Sequence, residues 1–308
     1  MVRHFLSQND LTPDEVRDLF ARAAAIKRSP FGDQLRGKSL VMFFEKTSTR
    51  TRLSFEIGMT QLGGHAVYLD RESSQLSRGE SIRDTAEVVS RYADLMMARV
   101  YAHATVADLA HHATIPVING LSDEEHPCQS LADLFTMLEC KGRIEGLRIA
   151  YMGDGNNNVT HSLMLGATQL GADVVVASPA ELQPSPSFVQ TARHNADQFG
   201  GSVTITTDPF KAVEGADVVY TDVWISMGRE DEEARRMKLL APYQVNEGLL
   251  ATASSDCIFM HCLPAHVGDE VTEEVAYSAQ SVIFDQAENR LHVQKALMLY
   301  LLELSSGG

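Results

Sequence analysis

The sequence is short of positive charge and of long apolar runs. Among its 308 residues, 26 Lys and Arg stand against 41 Asp and Glu, which gives a formal net charge of −15. A nucleic-acid interface needs a basic surface, so this balance argues against one. No stretch approaches the roughly 18–20 continuous apolar residues of a membrane-spanning helix, and the first ten residues lack the pattern of a secretory signal. We therefore expect a cytoplasmic protein that binds neither nucleic acid nor membrane.

Cysteine is also scarce. The four residues, Cys128, Cys140, Cys257 and Cys262, include no Cys-x-x-Cys pair. Disulfide frameworks and structural zinc sites depend on closely spaced cysteines, so we expect free thiols in a reducing compartment. We also find no cluster of potential ligands with the spacing of a metal site, and we expect neither a metal nor an organic cofactor.

Apolar residues make up 44% of the chain, enough for a buried core, and the length favours two domains over one. Short apolar runs alternate with segments of helical periodicity, which is typical of βαβ units with parallel sheets. The first series of predicted strands covers residues 40–44, 65–69, 95–100 and 115–118. The second covers residues 148–152, 174–177, 203–206, 218–221 and 258–261. A helix over about residues 129–140 separates the two series.

The sequence thus predicts an α/β fold with two Rossmann-like domains, each built on a central parallel sheet and joined by helices. The predicted boundaries are residues 1–135 and 136–284, and a final segment, 285–308, contains a helix over about residues 286–304. The cleft between two such domains is the usual ligand site. The first helix is expected to begin at Thr12, because Thr12, Pro13 and Glu15 supply an N-cap, a proline at the first helical position and a capping box.

Residues 32–39 read Gly-Asp-Gln-Leu-Arg-Gly-Lys-Ser and fit the P-loop pattern letter for letter. A P-loop follows a strand and opens a helix, which aims backbone amides at a phosphate group. Here a predicted helix precedes the pattern and a strand follows it. We therefore interpret the segment as a turn that enters a strand.

A second pattern, Gly153-Asp154-Gly155-Asn156-Asn157-Asn158, resembles a dinucleotide-binding fingerprint. Its third glycine is missing, and no acidic residue ends the next strand to hold a ribose hydroxyl. A nicotinamide role is therefore not expected. The segment still forms a loop at the carboxyl end of a strand, where ligand contacts are common.

Residues 44–52 read Phe-Glu-Lys-Thr-Ser-Thr-Arg-Thr-Arg, just after a predicted strand and at the start of a helix. An N-cap needs one Ser or Thr and no arginine. Three hydroxyls and two guanidinium groups at a helix N-terminus instead indicate an anion site, because the free amides, the helix dipole and arginine all favour a phosphate.

This segment, Ser48-Thr49-Arg50-Thr51-Arg52, resembles the carbamoyl-phosphate signature of the aspartate/ornithine transcarbamylase family. His126-Pro127-Cys128-Gln129 resembles the family's His-Pro-x-Gln. Two later motifs, Asp222-Val223-Trp224-Ile225-Ser226-Met227-Gly228 and His261-Cys262-Leu263-Pro264, are similar to those of the ornithine-specific members. The likeness spans essentially the whole chain and agrees with the two predicted α/β domains.

The resemblance implies that the first domain binds carbamoyl phosphate and that the final helix returns to it. Arg50 and Arg99, with the hydroxyls and amides of Ser48, Thr49 and Thr51, would hold the phosphate. Arg99, His126 and Thr51 would polarise the carbonyl oxygen, as in an oxyanion hole, and Gln129 would recognise the carbamoyl nitrogen. The further contacts implied for carbamoyl phosphate are Arg290, Cys262, Leu263 and Gln75, the last from a neighbouring subunit.

The second domain is implied to bind ornithine. Asn158, Asp222, Ser226 and the backbone at Met227 would hold its α-amino and carboxylate groups. The family has two asparagines where this chain has three; the spacing to His161 favours Asn158, with Asn157 as the alternative. Cys262 and Asp222 would lie beside the δ-amine, where a thiolate and a carboxylate can help to remove its proton.

The implied reaction transfers a carbamoyl group from carbamoyl phosphate to the δ-amine of ornithine, giving citrulline and phosphate, a step of arginine metabolism. Arg99, His126, Cys262 and Asp222 are the implied catalytic residues, and the implied assembly is a homotrimer or a multiple of it. One alternative is a carbamoyltransferase for putrescine or aspartate. The other is a non-catalytic paralogue that binds metabolites. The presence of every expected reactive residue argues against this alternative.

Overall fold

The computed structural model describes residues 2–72, 74–75, 79–225 and 233–306. The chain divides into two compact units. Unit 1 combines the residues up to Ala132 with those from Glu288 onward, and unit 2 comprises Asp133–Ala287. Each unit contains a parallel β-sheet with helices, which confirms the predicted fold class.

Unit 1 is built on a sheet with the strand order β2-β1-β3-β4, in which every pairing is parallel. Its strands are β1 (Ser39–Phe44), β2 (His65–Asp70), β3 (Leu95–Arg99) and β4 (Val117–Leu121). Its helices are α1 (Pro13–Arg28), α2 (Thr49–Gln61), α3 (Ile82–Tyr92) and α4 (His103–His112), with part of α12 (Ile283–Ser306). Central strands buried on both faces need continuous apolar runs, and Leu95, Met96, Met97 and Ala98 of β3 are all buried.

Unit 2 has the strand order β7-β6-β5-β8-β9, again with parallel pairings throughout. Its strands are β5 (Arg148–Met152), β6 (Asp173–Ala177), β7 (Ser202–Thr206), β8 (Val218–Thr221) and β9 (Ile258–His261). Its helices are α6 (Asn158–Gln169), α7 (Pro186–Phe199), α8 (Pro209–Val213), α9 (Glu233–Leu240), α10 (Glu247–Leu250) and α11 (Glu273–Ala276). Helix α5 (Pro127–Lys141), like α12, contributes residues to both units.

The start of α1 confirms the capping signal. Thr12 Oγ1 accepts a hydrogen bond from Glu15 N at 3.3 Å, and a Glu15 carboxylate oxygen accepts one from Thr12 N at 2.7 Å. Residues 32–39 lie between the end of α1 and the start of β1. The strand–loop–helix order that a P-loop needs is therefore not the order found there, as predicted.

The fourth strand lies two to three residues further along the chain than predicted. We predicted residues 115–118, whereas β4 covers Val117–Leu121. Pro116 has no N–H to donate and so precedes the strand. Asn119 continues it, despite low strand propensity, because its buried side-chain amide donates to Leu6 O at 2.9 Å. The helices predicted over residues 129–140 and 286–304 are each longer by one to three residues at both ends.

Both sheets place their predicted site residues at the carboxyl ends of adjacent strands. In unit 1, β1, β3 and β4 lead to Ser48, Arg99 and His126 respectively. In unit 2, β8 and β9 lead directly to Asp222 and Cys262. Open α/β sheets bind ligands at this edge, because the strand ends and the helix N-termini that follow them converge there.

Candidate active site

The N-terminus of α2 is organised by Ser48. Ser48 is the N-cap: its Oγ accepts from Thr51 N at 3.3 Å and lies 3.1 Å from Thr51 Oγ1. Thr49 is exposed, whereas Thr51 is fully buried. The amides of the first helical turn that have no partner in the helix point toward this end. The hydroxyls and the dipole together make it suitable for an anion.

The two arginines of this segment have different environments. Arg52 pairs with Glu56 at 3.1 Å, and its guanidinium lies 4.4 Å from the ring centroid of Tyr68. Arg50 is half-buried, and within the described part of the chain no carboxylate forms an ion pair with it. Arg50 is therefore the arginine of this segment that is available for a phosphate.

Arg290 ties the predicted carbamoyl-phosphate residues together. Its Nη2 donates to Thr51 Oγ1 and its Nη1 donates to Gln129 Oε1, each at 3.0 Å. All three side chains are buried, so a full positive charge lies among them. The sequence suggested Arg290 only as a further ligand contact, whereas the structure also gives it a part in orienting Thr51 and Gln129.

His126 is buried, and its pKa is lowered well below the usual value of 6.5. Burial is the main cause, followed by the positive charges of Arg290 and Arg99. The imidazole is therefore neutral at physiological pH. A neutral imidazole can donate a hydrogen bond to a developing oxyanion but does not bring a positive charge of its own.

Gln75 lies apart from this group as far as the described residues show. Its side chain is exposed, and its backbone oxygen accepts from Glu80 N at 3.2 Å. Within the described part of one chain, no hydrogen bond connects it with Arg50, Arg99 or His126. Its contact with carbamoyl phosphate stays a prediction.

Asp222 and Cys262 form the chemical centre of unit 2. The Cys262 thiol donates to Asp222 Oδ1 at 2.9 Å, and Val223 N donates to the same oxygen at 2.8 Å. The pKa of Asp222 is raised by burial. Cys262 is partly exposed as a residue, yet removal of its thiol from water raises its pKa well above 9.0, and the charge of Asp222 raises it further. The expected thiolate is therefore wrong for this arrangement, because a second negative charge beside Asp222 is disfavoured.

The loop that carries Cys262 is held by His261 and Glu270, two residues to which the sequence gave no role. Leu263 N donates to His261 Nδ1 at 2.9 Å, so Nε2 carries the ring proton and donates to Glu270 Oε1 at 3.1 Å. Both side chains are fully buried. Leu263 has φ 59°, a left-handed conformation that non-glycine residues rarely adopt and that clusters at functional sites. In the sequence, the one sign of this arrangement is that His261 directly precedes Cys262.

Asn157 and Asn158 lie at the start of α6. Asn157 is the N-cap of α6: its Oδ1 accepts from Thr160 N at 2.8 Å, and its Nδ2 donates to Tyr151 and to Asp154 O. These bonds use both amide donors. Asn158 is the next residue and is less buried. Asn158 stays the predicted ornithine contact, with Asn157 as the alternative. Ser226 and Met227, the other predicted contacts, lie outside the described residues.

The fold also creates a set of potential metal ligands that sequence spacing did not reveal. Atoms of Asp222, His261 and Cys262 lie within 4.8 Å of one another, because β8 and β9 are neighbours. Both nitrogens of His261 already take part in hydrogen bonds with Leu263 and Glu270. The arrangement therefore serves hydrogen bonding within the loop. As for membranes, the helices of the described segments are all too short or too polar to span a bilayer.

Two protein-family models together match nearly the entire chain. The carbamoyl-P binding domain of aspartate/ornithine carbamoyltransferases matches residues 3–139, and the Asp/Orn binding domain matches residues 145–301. The chain belongs to the aspartate/ornithine carbamoyltransferase family. The resemblance inferred from the sequence motifs is thereby confirmed.

Individual family members are similar over their full length. The ornithine carbamoyltransferase of Pyrococcus horikoshii is 54% identical over 97% of this chain and 96% of its own. That of Mycolicibacterium gilvum is 50% identical over 99% of this chain and 100% of its own. The solved structure of ornithine carbamoyltransferase from Pyrococcus furiosus superposes with a TM-score of 0.93 at 53% identity and covers 96% of both chains.

The family's two domains differ slightly from the two structural units. The second family domain extends to residue 301, whereas unit 1 takes up the chain again at Glu288. Arg290 therefore lies within the family's Asp/Orn binding segment but contacts Thr51 and Gln129 of unit 1.

Proposed function

We propose that this protein is an ornithine carbamoyltransferase, which transfers the carbamoyl group of carbamoyl phosphate to the δ-amine of L-ornithine and yields L-citrulline and phosphate. The observation that carries the proposal is the hydrogen-bonded Asp222–Cys262 pair at the ends of β8 and β9. The pair offers an ionisable carboxylate and a neutral thiol to an amine substrate. The full-length similarity to ornithine carbamoyltransferases supports the choice of ornithine.

Carbamoyl phosphate would bind in unit 1. Its phosphate would accept hydrogen bonds from Arg50, Arg99 and the start of α2, where Ser48, Thr49 and Thr51 lie. The carbonyl oxygen would receive hydrogen bonds from Arg99, His126 and Thr51. Gln129 is buried and accepts a hydrogen bond from Arg290, and its side-chain amide would recognise the carbamoyl amino group.

The δ-amine of ornithine must be neutral before it attacks the carbonyl carbon. The new C–N bond forms as the carbonyl gains negative charge, which Arg99 and His126 stabilise. The C–O bond to phosphate then breaks, phosphate leaves with the electron pair, and a phosphate oxygen takes the proton that the amine nitrogen loses. No covalent bond to the enzyme forms. Before the attack, Asp222 attracts the δ-ammonium group of ornithine. The Cys262 thiol orients the Asp222 carboxylate by donating a hydrogen bond to it.

The amino-acid end of ornithine would be held by Asn158, Asp222, Ser226 and the backbone at Met227. Aspartate would bring a second carboxylate and needs a cationic partner, whereas Asp222 is itself an acid. Putrescine has no α-carboxylate for this group to hold. These differences disfavour both amines as substrates.

We expect citrulline and phosphate to appear in equal amounts and at a rate that rises with pH. With ornithine below saturation, the rate should rise by about tenfold per pH unit between neutral and moderately alkaline pH, because the δ-amine has an ordinary pKa near ~10. The raised pKa of Cys262 keeps its thiol protonated in this range. Cys262→Ser should therefore lower turnover but retain the slope, and a flat profile for the wild type would rule out amine deprotonation before attack.

We further propose a cytoplasmic homotrimer, or a multiple of it, in which Gln75 reaches the carbamoyl-phosphate site of a neighbouring subunit. Exposed apolar side chains on α2, Leu53 and Ile57, and Val67 on β2 support a subunit interface on this side of unit 1. The exposed position of Gln75 leaves it available to a neighbour. A closed ring would then share three sites.

Subunit exchange between two variants tests this assembly, assayed at a carbamoyl-phosphate concentration too low for either variant alone to be active. Arg50→Ala and Gln75→Ala chains are mixed under exchanging conditions. If Gln75 acts in the neighbour's site, about a quarter of the sites combine an intact Arg50 with an intact Gln75, by counting neighbours in a closed ring. Activity should recover to that fraction. A mixture that stays inactive despite verified exchange would show that Gln75 acts within its own chain or not at all.

A further inference from the structure

Arg236 of α9 is the largest fully buried side chain in the described part of the protein. Its Nη2 forms a short ion pair with Asp154 Oδ2, and the side chains of both residues are 2% exposed. Its Nε donates to the backbone oxygen of Trp224 at 2.9 Å. One guanidinium group thus binds two loops, one after β5 and one after β8, that are separated by about 70 residues in the sequence.

The first of these loops carries the predicted ornithine contact Asn158, and Asp154 organises it. Asp154 O accepts from Asn157 Nδ2 at 2.9 Å and from Thr160 Oγ1 at 3.1 Å. Its Oδ1 accepts from Asn156 N at 3.0 Å. The backbone and the carboxylate of Asp154 therefore fix the start of α6.

The second loop carries Asp222, two residues before Trp224. Trp224 is buried, and its ring packs against Gly153, where an added Cβ would lie 3.4 Å from the indole Nε1. Gly153 has φ 123°, so a side chain there would also be strained. The two loops are thus in contact through Trp224 and Gly153 and are bridged by Arg236.

We propose that Arg236 is a positioning residue for the amino-acid end of ornithine. By holding Asp154 and Trp224 O at once, it fixes the separation between Asn158 and Asp222. The inference rests on the proposed function, since it assigns ornithine to these two side chains. A lysine at this position would balance the charge of Asp154, but it lacks the planar fork that reaches both acceptors.

The alternative is that the ion pair only stabilises the fold. Buried ion pairs are weak evidence for stability, because the cost of removing both charges from water offsets their attraction. If the ion pair only stabilises the fold, its loss should change the KM of both substrates equally or of neither. A positioning role would affect ornithine alone, since both loops that Arg236 holds carry predicted ornithine contacts.

The test compares Arg236→Lys with Arg235→Lys, an exposed neighbour on the same helix. KM is measured for each substrate, together with the inhibition constant of L-norvaline, which keeps the α-amino and carboxylate groups of ornithine but lacks the δ-amine. For Arg236→Lys, the KM of ornithine and the inhibition constant of norvaline should rise together by about tenfold or more, as expected for one charge-assisted hydrogen bond. The KM of carbamoyl phosphate should stay within about twofold, and Arg235→Lys should behave as the wild type.

An unchanged KM for ornithine in a folded Arg236→Lys protein would overturn the inference, and so would equal increases for both substrates. If that variant does not fold, the double variant Arg236→Gln with Asp154→Asn removes both buried charges and takes its place, with the same expected and contrary outcomes. A wild-type protein that neither forms citrulline nor binds norvaline would instead refute the proposed function. Thermal unfolding of every variant separates a loss of structure from a loss of ornithine affinity.

Discussion

Replacement of Arg50 with alanine is expected to raise the dissociation constant of carbamoyl phosphate by about 10- to 150-fold, which corresponds to the ~1.5–3 kcal/mol of one charge-assisted contact. The catalytic efficiency should fall by at least as much, because the phosphate gains charge as it leaves in the transition state. The fold should be unaffected. Arg50 is half-buried, and its charge is not paired with a carboxylate in the described residues.

Arg52→Ala provides the matched control for Arg50→Ala. It removes the same charge from the same helix two residues later, but from a guanidinium that contacts Glu56 and Tyr68. Exposed pairs of this kind contribute roughly 0.2–1 kcal/mol, so carbamoyl-phosphate affinity should change by no more than about fivefold. Isothermal titration of each variant with carbamoyl phosphate decides the matter. Equal losses in both variants would mean that general electrostatic attraction, and not a specific contact of Arg50, binds the phosphate.

The sequence does not predict that Arg50 and Arg52 have different contacts. Both lie in the motif at the start of α2, and charge alone gives no reason to prefer either. The difference arises from Tyr68 on β2, which the parallel pairing of β1 with β2 brings beside this end of unit 1. Such a contact depends on strand order, which the sequence pattern did not supply.

The fold class and the main strands could be predicted because each rests on a local signal. Apolar runs such as residues 148–152 and 258–261 coincide with β5 and β9 as found. Strand β4 was misplaced because its later residues, Asn119 and Gly120, have low strand propensity and are buried through long-range contacts. Local propensity does not register a hydrogen bond to Leu6 O, more than 100 residues away.

The sequence predicted the residues of the candidate site. It did not predict the raised pKa of Cys262 or the Arg236–Asp154 ion pair behind the site. The motif named Cys262 and Asp222, but it does not reveal that removal of the thiol from water and the charge of Asp222 raise the pKa of Cys262. Arg236 and Asp154 are separated by 82 positions, and neither matched a pattern that suggested the other. The polar residues that hold a site are therefore harder to find than the residues that form it.

Amine specificity is the second large effect that we expect. A site that binds both α-groups of ornithine leaves buried polar side chains without partners when either group is missing. A buried group that is left without a partner weakens binding, because Asp222 has already been removed from water and gains no new partner in exchange. Putrescine lacks the carboxylate, N-acetylornithine lacks the α-ammonium, and aspartate has a second carboxylate in place of the δ-amine side chain. Each should react at least about 100-fold less efficiently than ornithine.

The most direct test is the ratio of kcat/KM values for L-ornithine, putrescine, N-acetyl-L-ornithine and L-aspartate, measured with the same purified protein at saturating carbamoyl phosphate. We expect citrulline to form from ornithine with the highest kcat/KM, exceeding each of the other amines by at least about 100-fold. Preference for another amine, or the absence of carbamoyl transfer to any of the four, would contradict the assignment of this protein as an ornithine carbamoyltransferase.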